Sequence, residues 1–176
     1  DDKSNLQYLC AAGVSFMFLV SMNRKLRLID WFNKNKINEP NLINYLDLVS
    51  LGTVCDVVPL IGLNRAIVKQ GLKILKGKKN LGLKTLLDIC KIESSPSIYH
   101  LGFMLGPRIN AGGRVGKCSH GANLLLNTDP KNAFKLASEL DQYNKERQLL
   151  EKDLLQKLLD EIKNYSKDPV LVLSGI

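Results

Sequence analysis

A long stretch without glycine or proline constrains the fold of this chain more than any other feature. Asp129 is a favourable N-cap residue, Pro130 suits the first position of a helix, and residues 131–165 contain neither Gly nor Pro. A helix over these residues, some 36 in all, is about 54 Å long at 1.5 Å per residue. Such a length is typical of a connector between two bodies rather than of a helix packed inside one core.

Shorter helical patterns precede this stretch, so the chain is predicted to be mainly α-helical. A turn at 52–59 and a Gly-rich loop at 106–116 interrupt helices that are predicted at 9–33, 42–50, 62–75, 83–90, 97–105 and 119–126. The run PVLVL at 169–173 predicts a strand. Because no partner strand follows it, we interpret the chain as an internal piece of a longer protein.

Composition excludes several classes of protein. The chain has 176 residues and no apolar run of 18, so no membrane span is expected, and the apolar residues 9–20 indicate a buried helix rather than a signal peptide. The cysteines, at positions 10, 55, 90 and 118, form no CxxC pair. This spacing argues against a zinc site or a disulfide framework, and reduced thiols are typical of a cytoplasmic protein.

Positive charge is concentrated in the middle of the chain. Residues 57–128 carry eleven Lys and Arg against two acids, a balance of +9, whereas the whole chain carries +8. Within this segment the cations at positions 65, 69, 73 and 76 share one face of a predicted helix. A polyanionic partner such as nucleic acid is one interpretation, and a solvated Lys-rich surface is the other.

The run LDLVSLGTVCDVVPL at 46–60 places a carboxylate among apolar residues. A carboxylate in such surroundings needs a hydrogen bond, an ion pair or a metal ion, and oxygen ligands suit Mg²⁺ or Mn²⁺. Asp56 is therefore a candidate metal ligand, although capping of a turn would also explain it. Asp47, flanked by leucines, is interpreted as a structural capping or salt-bridge residue.

The run LGPRINAGGRVG at 105–116 is a candidate phosphate-binding loop. Arg108 and Arg114 can hold phosphate oxygens, and Asn110 can donate to one. Gly112 and Gly113 would let backbone N–H groups approach a phosphate closely. No Gly-Lys-Ser/Thr follows, so this is not a Walker loop. The alternative is a Gly-rich turn whose arginines pair with acids.

These motifs, in this order and spacing, resemble the RecJ family of single-stranded-DNA exonucleases within the DHH phosphoesterase superfamily. The similar runs are LDLVSLGTVCDVVPL, NRAIVKQGLKIL, GFMLGPRINAGGRVG, and TDP followed by ELDQYNKERQLLE, and the wording GTVCDVVPL is most like alphaproteobacterial members. The resemblance implies a mainly helical part of an α/β DHH domain over 1–128, a connector helix over 129–166, and the start of a DHHA1 domain over 167–176.

The resemblance also implies roles for individual residues. Asp56 matches the last metal-binding aspartate of a site that holds two Mn²⁺ or Mg²⁺ ions. Arg108, Asn110 and Arg114, with the glycines between them, match a loop beside the path of single-stranded DNA. The implied activity is hydrolysis of that DNA from its 5′ end, in repair and recombination.

Departures from the family pattern limit what this chain can do by itself. It contains no Asp-His-His triplet and no Asp-x-Asp pair before Asp56, and His100 and His120 are interpreted as surface or structural residues. We therefore expect the chain alone to be inactive and to need the remainder of the enzyme. The alternatives are a non-catalytic piece that binds single-stranded nucleic acid and a small-molecule phosphoesterase. The leucine pairs beyond Leu149 are expected to be exposed.

Overall fold

The computed structural model describes residues 4, 6–115 and 117–162, apart from the side chains of 161 and 162. Its α-helices are α1 (Ala11–Leu28), α2 (Trp31–Lys34), α3 (Leu46–Cys55), α4 (Gly62–Lys76), α5 (Leu81–Ile89), α6 (Gly106–Ala111), α7 (Ser119–Leu125) and α8 (Pro130–Ile162). A 3₁₀ turn at Leu42–Tyr45 precedes α3, and a π-helical segment at His100–Leu105 precedes α6. The described part of the chain contains no strand, which confirms the mainly α prediction. The predicted strand at 169–173 lies outside it.

The first predicted helix is divided into two. Helix α1 begins after Cys10, whose Sγ accepts a hydrogen bond from the N–H of Gly13. It ends before Asp30, which has φ of 56° and so cannot continue a right-handed helix. The short helix α2 follows at once.

Helix α3 is longer than the sequence predicts. Residues 52–55 were expected to form a turn, but the helix continues through them and ends with Asp56 as its C-cap. β-Branched residues favour helix only weakly, yet Thr53 is buried and donates through its hydroxyl to the carbonyl of Val49 at 2.7 Å. Packing against α1, α4 and the π-helical segment therefore outweighs local preference here.

Helices α3 and α4 lie in close contact because of one glycine. A Cβ at Gly71 would lie 2.2 Å from the carbonyl oxygen of Leu46 and 2.5 Å from Ser50. This approach buries one face of α4, including Ile67, and leaves the opposite face in solvent. That exposed face carries the predicted row of cations at positions 65, 69, 73 and 76.

Half of the predicted Gly-rich loop is helical. The π-helical segment continues directly into α6, so residues 106–111 are helix, and the rest of the loop that the structure describes, 112–115, forms turns. Pro107 lies at the junction, in the first two positions of α6.

Helix α8 combines a buried half with an exposed half. It begins as predicted, with Oδ2 of Asp129 accepting a hydrogen bond from the N–H of Asn132 at 2.9 Å. Its first turns supply Ala133, Ala137 and Leu140 to the main core and pack against α5, α6 and α7. Beyond Leu149 the expected exposure is found, at Leu149, Leu150, Leu154, Leu155 and Leu159. The first half of the helix therefore belongs to the main core.

Within the described residues, no helix has the length and apolar character that crossing a membrane requires.

Candidate functional site

An open cleft of about 1020 Å³ lies between α3, α6 and α7. Its floor is apolar and includes Leu51 of α3, Ile109 of α6 and Leu125 of α7. The polar groups on its walls include Asp56, Asn110, Arg114 and Arg147. Two arginines and one aspartate give these walls a net charge of +1, and a cleft of this kind is suited to an anion with apolar parts.

Asp56 stands at one edge of the cleft, at the C-terminus of α3. It is exposed rather than enclosed by apolar residues as the sequence suggested. In the part of the chain that the structure describes, its carboxylate has no hydrogen-bond or ion-pair partner. The next residue, Val57, has φ of 55°, a conformation that strains a β-branched residue and sharply turns the chain away. Asp56 is therefore free to bind a cation.

The turn after α6 does not form a backbone cradle. The N–H groups of Gly113 and Arg114 donate to the carbonyls of Asn110 and Ala111, each at 3.1 Å, so they close the helix end. Gly112 is buried, does not line the cleft, and would place a Cβ 2.8 Å from the carbonyl oxygen of Lys117. These two N–H groups, which the Gly-rich motif suggested for phosphate, are therefore engaged in completing the helix.

Side chains of the same segment do reach the cleft. Asn110 and Arg114 line it and are exposed, and the guanidinium of Arg114 makes no hydrogen bond or ion pair within the described residues. Any phosphate in the cleft would therefore be held by these side chains, with Gly113 allowing close approach beside them.

Arg108 points elsewhere. Its Nε donates to Oδ1 of Asp141 on α8 at 2.8 Å, and its Nη1 donates to the carbonyl of Met104 at 2.8 Å. The alternative reading of the motif, an arginine paired with an acid, thus describes Arg108. The sequence misled because nearby acids are scarce, whereas Asp141 lies 33 residues away along the chain.

Gly106 brings α6 against the end of α3, next to Asp56. A Cβ at Gly106 would lie 2.4 Å from Sγ of Cys55 and 3.0 Å from the carbonyl oxygen of Leu101. Only glycine accommodates this approach without movement of the cysteine side chain. The contact sets how far Asp56 lies from the α6 wall of the cleft.

The described residues do not complete a metal site. They contain no group of three or more His, Cys, Asp or Glu side chains that could hold a metal ion. Asp56 is the one carboxylate on the cleft walls in this part of the chain. A two-metal site needs several such ligands, so the residues present do not fit it by themselves.

Other titratable candidates have structural surroundings. The Nδ1 atom of His100 accepts from the N–H of Ser97 at 3.0 Å, and His120 is buried with its ring stacked on Tyr143. Asp47 is buried, and its Oδ1 accepts from the N–H of Leu48 at 2.7 Å, which agrees with a capping role. Burial raises the pKa of the Asp47 carboxyl, although these backbone hydrogen bonds oppose the shift.

Arg147 of α8 is the cleft residue that the sequence analysis overlooked. It lies within ELDQYNKERQLLE, a run that was noted only for its resemblance. It lies three positions beyond Asn144, which is buried, so both residues share the inward face of the helix.

Solved structures with this arrangement of helices define a class of protein, the metal-binding exonucleases. RecJ from Thermus thermophilus, determined with Mn²⁺, matches 78% of this chain and 20% of its own with a TM-score of 0.65 and 35% identity. A structure described as exonuclease RecJ bound to manganese matches 74% of this chain and 33% of its own, with a TM-score of 0.64 and 35% identity. The same Thermus protein has also been determined with Mg²⁺.

The sequence relatives of this chain are RecJ proteins. The single-stranded-DNA-specific exonuclease RecJ of Dickeya dadantii is 43% identical over 145 residues, which are 81% of this chain and 25% of that protein. RecJ of Escherichia coli is 41% identical over 148 residues, 83% of this chain and 26% of that protein. No protein-family profile matches. The resemblance stated from the motifs is confirmed, and this chain is similar to RecJ over most of its own length.

The chain spans about a quarter of the length of the curated relatives it matches.

Proposed function

We propose that this chain forms part of a metal-dependent exonuclease that degrades single-stranded DNA from the 5′ end, as RecJ does, in repair and recombination. The observation that carries the proposal is that Asp56 and Arg114, which lie 58 positions apart, line one cleft. Asp56 can bind a metal ion, and Arg114 can bind a phosphate group. Metal-dependent hydrolysis of a phosphodiester needs both kinds of group in one site.

In this proposal residues 1–128 correspond to the C-terminal part of the DHH domain and residues 129–166 to the connector. Residues 167–176 begin the DHHA1 domain. Asp56 supplies one ligand of the Mn²⁺ or Mg²⁺ site. Arg114 and Asn110 hold the phosphate backbone of the DNA, whereas Arg108 supports the wall through Asp141. Gly113 leaves room for the strand beside Arg114.

By itself the chain would bind DNA without cleaving it. The described residues offer no cluster of metal-ligating side chains, which favours a non-catalytic role for the isolated chain. Incubation with 5′-phosphorylated single-stranded DNA and Mn²⁺ is expected to release no mononucleotides. Robust release would refute the predicted inactivity. Addition of a segment that carries the missing Asp and His ligands should restore exonuclease activity.

Binding tests the proposal directly. The chain is expected to bind a single-stranded oligonucleotide with an affinity that falls as salt rises, because phosphate contacts release counterions. Arg114→Ala should lower the affinity several-fold and reduce the slope of log affinity against log salt by about 0.7, the value for one contact to a single strand. Arg65→Ala removes an exposed cation of α4 that does not line the cleft, and serves as the matched control.

Equal effects of the two substitutions would reject the cleft as the DNA site and would favour a diffuse basic surface. A dinucleotide that binds as tightly as a long oligonucleotide would favour the small-molecule phosphoesterase.

A further inference from the structure

Arg147 lines the cleft from α8, whereas Arg114 lines it from the turn after α6. Arg147 lines the same cleft as Asp56 and Arg114. Because only 22% of its side chain is exposed, most of that side chain is buried in the cleft wall. This places a second guanidinium at the candidate phosphate site, on a helix whose preceding turns belong to the core.

The guanidinium of Arg147 is incompletely bonded. Its Nη1 pairs with Glu151, an exposed partner one turn along the helix, and its Nη2 donates to Oδ1 of Asn144 over a long 3.3 Å. Its Nε is shielded from solvent and has no acceptor. Buried donors on charged groups are rarely left without a partner, because their lost hydration is not replaced.

Arg108, on α6, makes a different set of hydrogen bonds. Its Nε and Nη1 both make bonds of 2.8 Å, to Asp141 and to the carbonyl of Met104. The two arginines therefore differ in kind. Arg108 is satisfied by the fold, whereas Arg147 has donor capacity that the described residues do not use.

A phosphate group is the acceptor that fits this unused capacity. It offers several oxygens to a planar fork of N–H donors, and arginine binds it through two of them at once. Asp56 is the only acid that lines the cleft in the described part of the chain, and Glu151, the partner of Nη1, is exposed and does not line it. We infer that Arg147 turns its guanidinium toward a phosphate of the bound strand and holds it together with Arg114. This inference rests on the proposed function.

The test uses ¹⁵N spectra of the arginine Nε–H groups, with inorganic phosphate and a 5′-phosphorylated oligothymidylate as separate probes. The Arg147 signal, assigned by its loss in Arg147→Lys, is expected to shift and saturate with both probes, while that of Arg65 stays unchanged. Arg147→Gln should weaken oligonucleotide binding about 10-fold, the range expected for charge-assisted hydrogen bonds, and Arg147→Lys less. Arg65→Gln should have little effect.

Stability separates binding from a structural role. Arg147→Gln gives up the long Nη2 contact to Asn144 and an exposed pair with Glu151, so the unfolding midpoint should fall only slightly while affinity falls clearly. A lowered midpoint with unchanged affinity would make Arg147 structural and would overturn the inference.

The two proposals can fail separately. If the oligonucleotide binds and depends on Arg114 but leaves the Arg147 signal and the Arg147→Gln affinity unchanged, the inference falls and the proposed function stands. If phosphate shifts the Arg147 signal but the oligonucleotide does not bind, the cleft is an anion site, and both the assignment to a DNA strand and the proposed function are rejected. If neither probe shifts the signal or binds, both are rejected.

Discussion

Arg108 on α6 and Asp141 on α8 form an ion pair, with 2.8 Å between Nε and Oδ1, that ties one wall of the cleft to the core helix. Both side chains are largely buried, at 17% and 13% exposure. Burial opposes ionisation of Asp141, but the hydrogen bonds from Lys145 and Arg108 together outweigh it and hold the pKa of the carboxyl below its ordinary value. The pair therefore stabilises the fold at neutral pH.

Arg108→Gln is expected to destabilise the chain by roughly 1–3 kcal/mol, because Asp141 keeps Lys145 but loses its buried partner. Chemical denaturation at pH 7 measures this. The lowered pKa contributes stability above the unfolded value of about 3.9, and this contribution is lost as the pH falls through the folded value. The matched control is Lys145→Gln, whose cation is 61% exposed and should contribute less than about 1 kcal/mol. Equal losses in the two variants would contradict the assignment.

Gly106→Ala is expected to cost about 1–3 kcal/mol, because the added methyl group overlaps Sγ of Cys55. Thermal unfolding measures the loss. Cys55→Ala removes the sulfur, so in the double variant much of the loss should be recovered. Simple addition of the two single effects would show that the contact does not limit the approach of α6 to α3.

Asp47 predicts an opposite pH dependence from that of Asp141. Its raised pKa means that the folded state binds more protons than the unfolded state above pH of about 3.9. Its contribution to stability is full below that pH and is lost as the pH rises through the folded value. Asp47→Asn should abolish this fall in the free energy of unfolding with rising pH, because the amide does not titrate. This holds whether the variant is more or less stable than the parent chain. The exposed Asp153→Asn is the control, and a slope that both variants share would count against Asp47.

The leucines on the distal half of α8 should promote self-association at high protein concentration. Leu150 is 62% and Leu154 40% exposed, and contiguous apolar surface of this kind tends to be buried between molecules. Sedimentation should show a mass that rises with concentration, and Leu150→Gln with Leu154→Gln should return it toward the monomer. Lys157→Gln on the same half should not. A strictly monomeric parent chain would contradict the prediction.

Local signals in the sequence were sufficient for much of the fold. The cap at Asp129, the absence of Gly and Pro after Pro130, and apolar residues at helical spacing predicted α8 and α4. Such features act between residues a few positions apart, so they are legible without a structure. The motifs around Asp56 and Arg114 likewise sufficed to state the resemblance to RecJ.

Only the tertiary structure decided which of these residues share a site. It extended α3 to Cys55, made 106–111 helical, assigned Arg108 to Asp141, and placed Arg147 on the cleft with Asp56. Each outcome depends on a contact between distant parts of the chain, such as that between Gly106 and Cys55. The energy of packing helices together exceeds the small local preferences of single residues. Contacts between residues far apart in sequence therefore determine which side chains face the cleft and are free to bind a ligand.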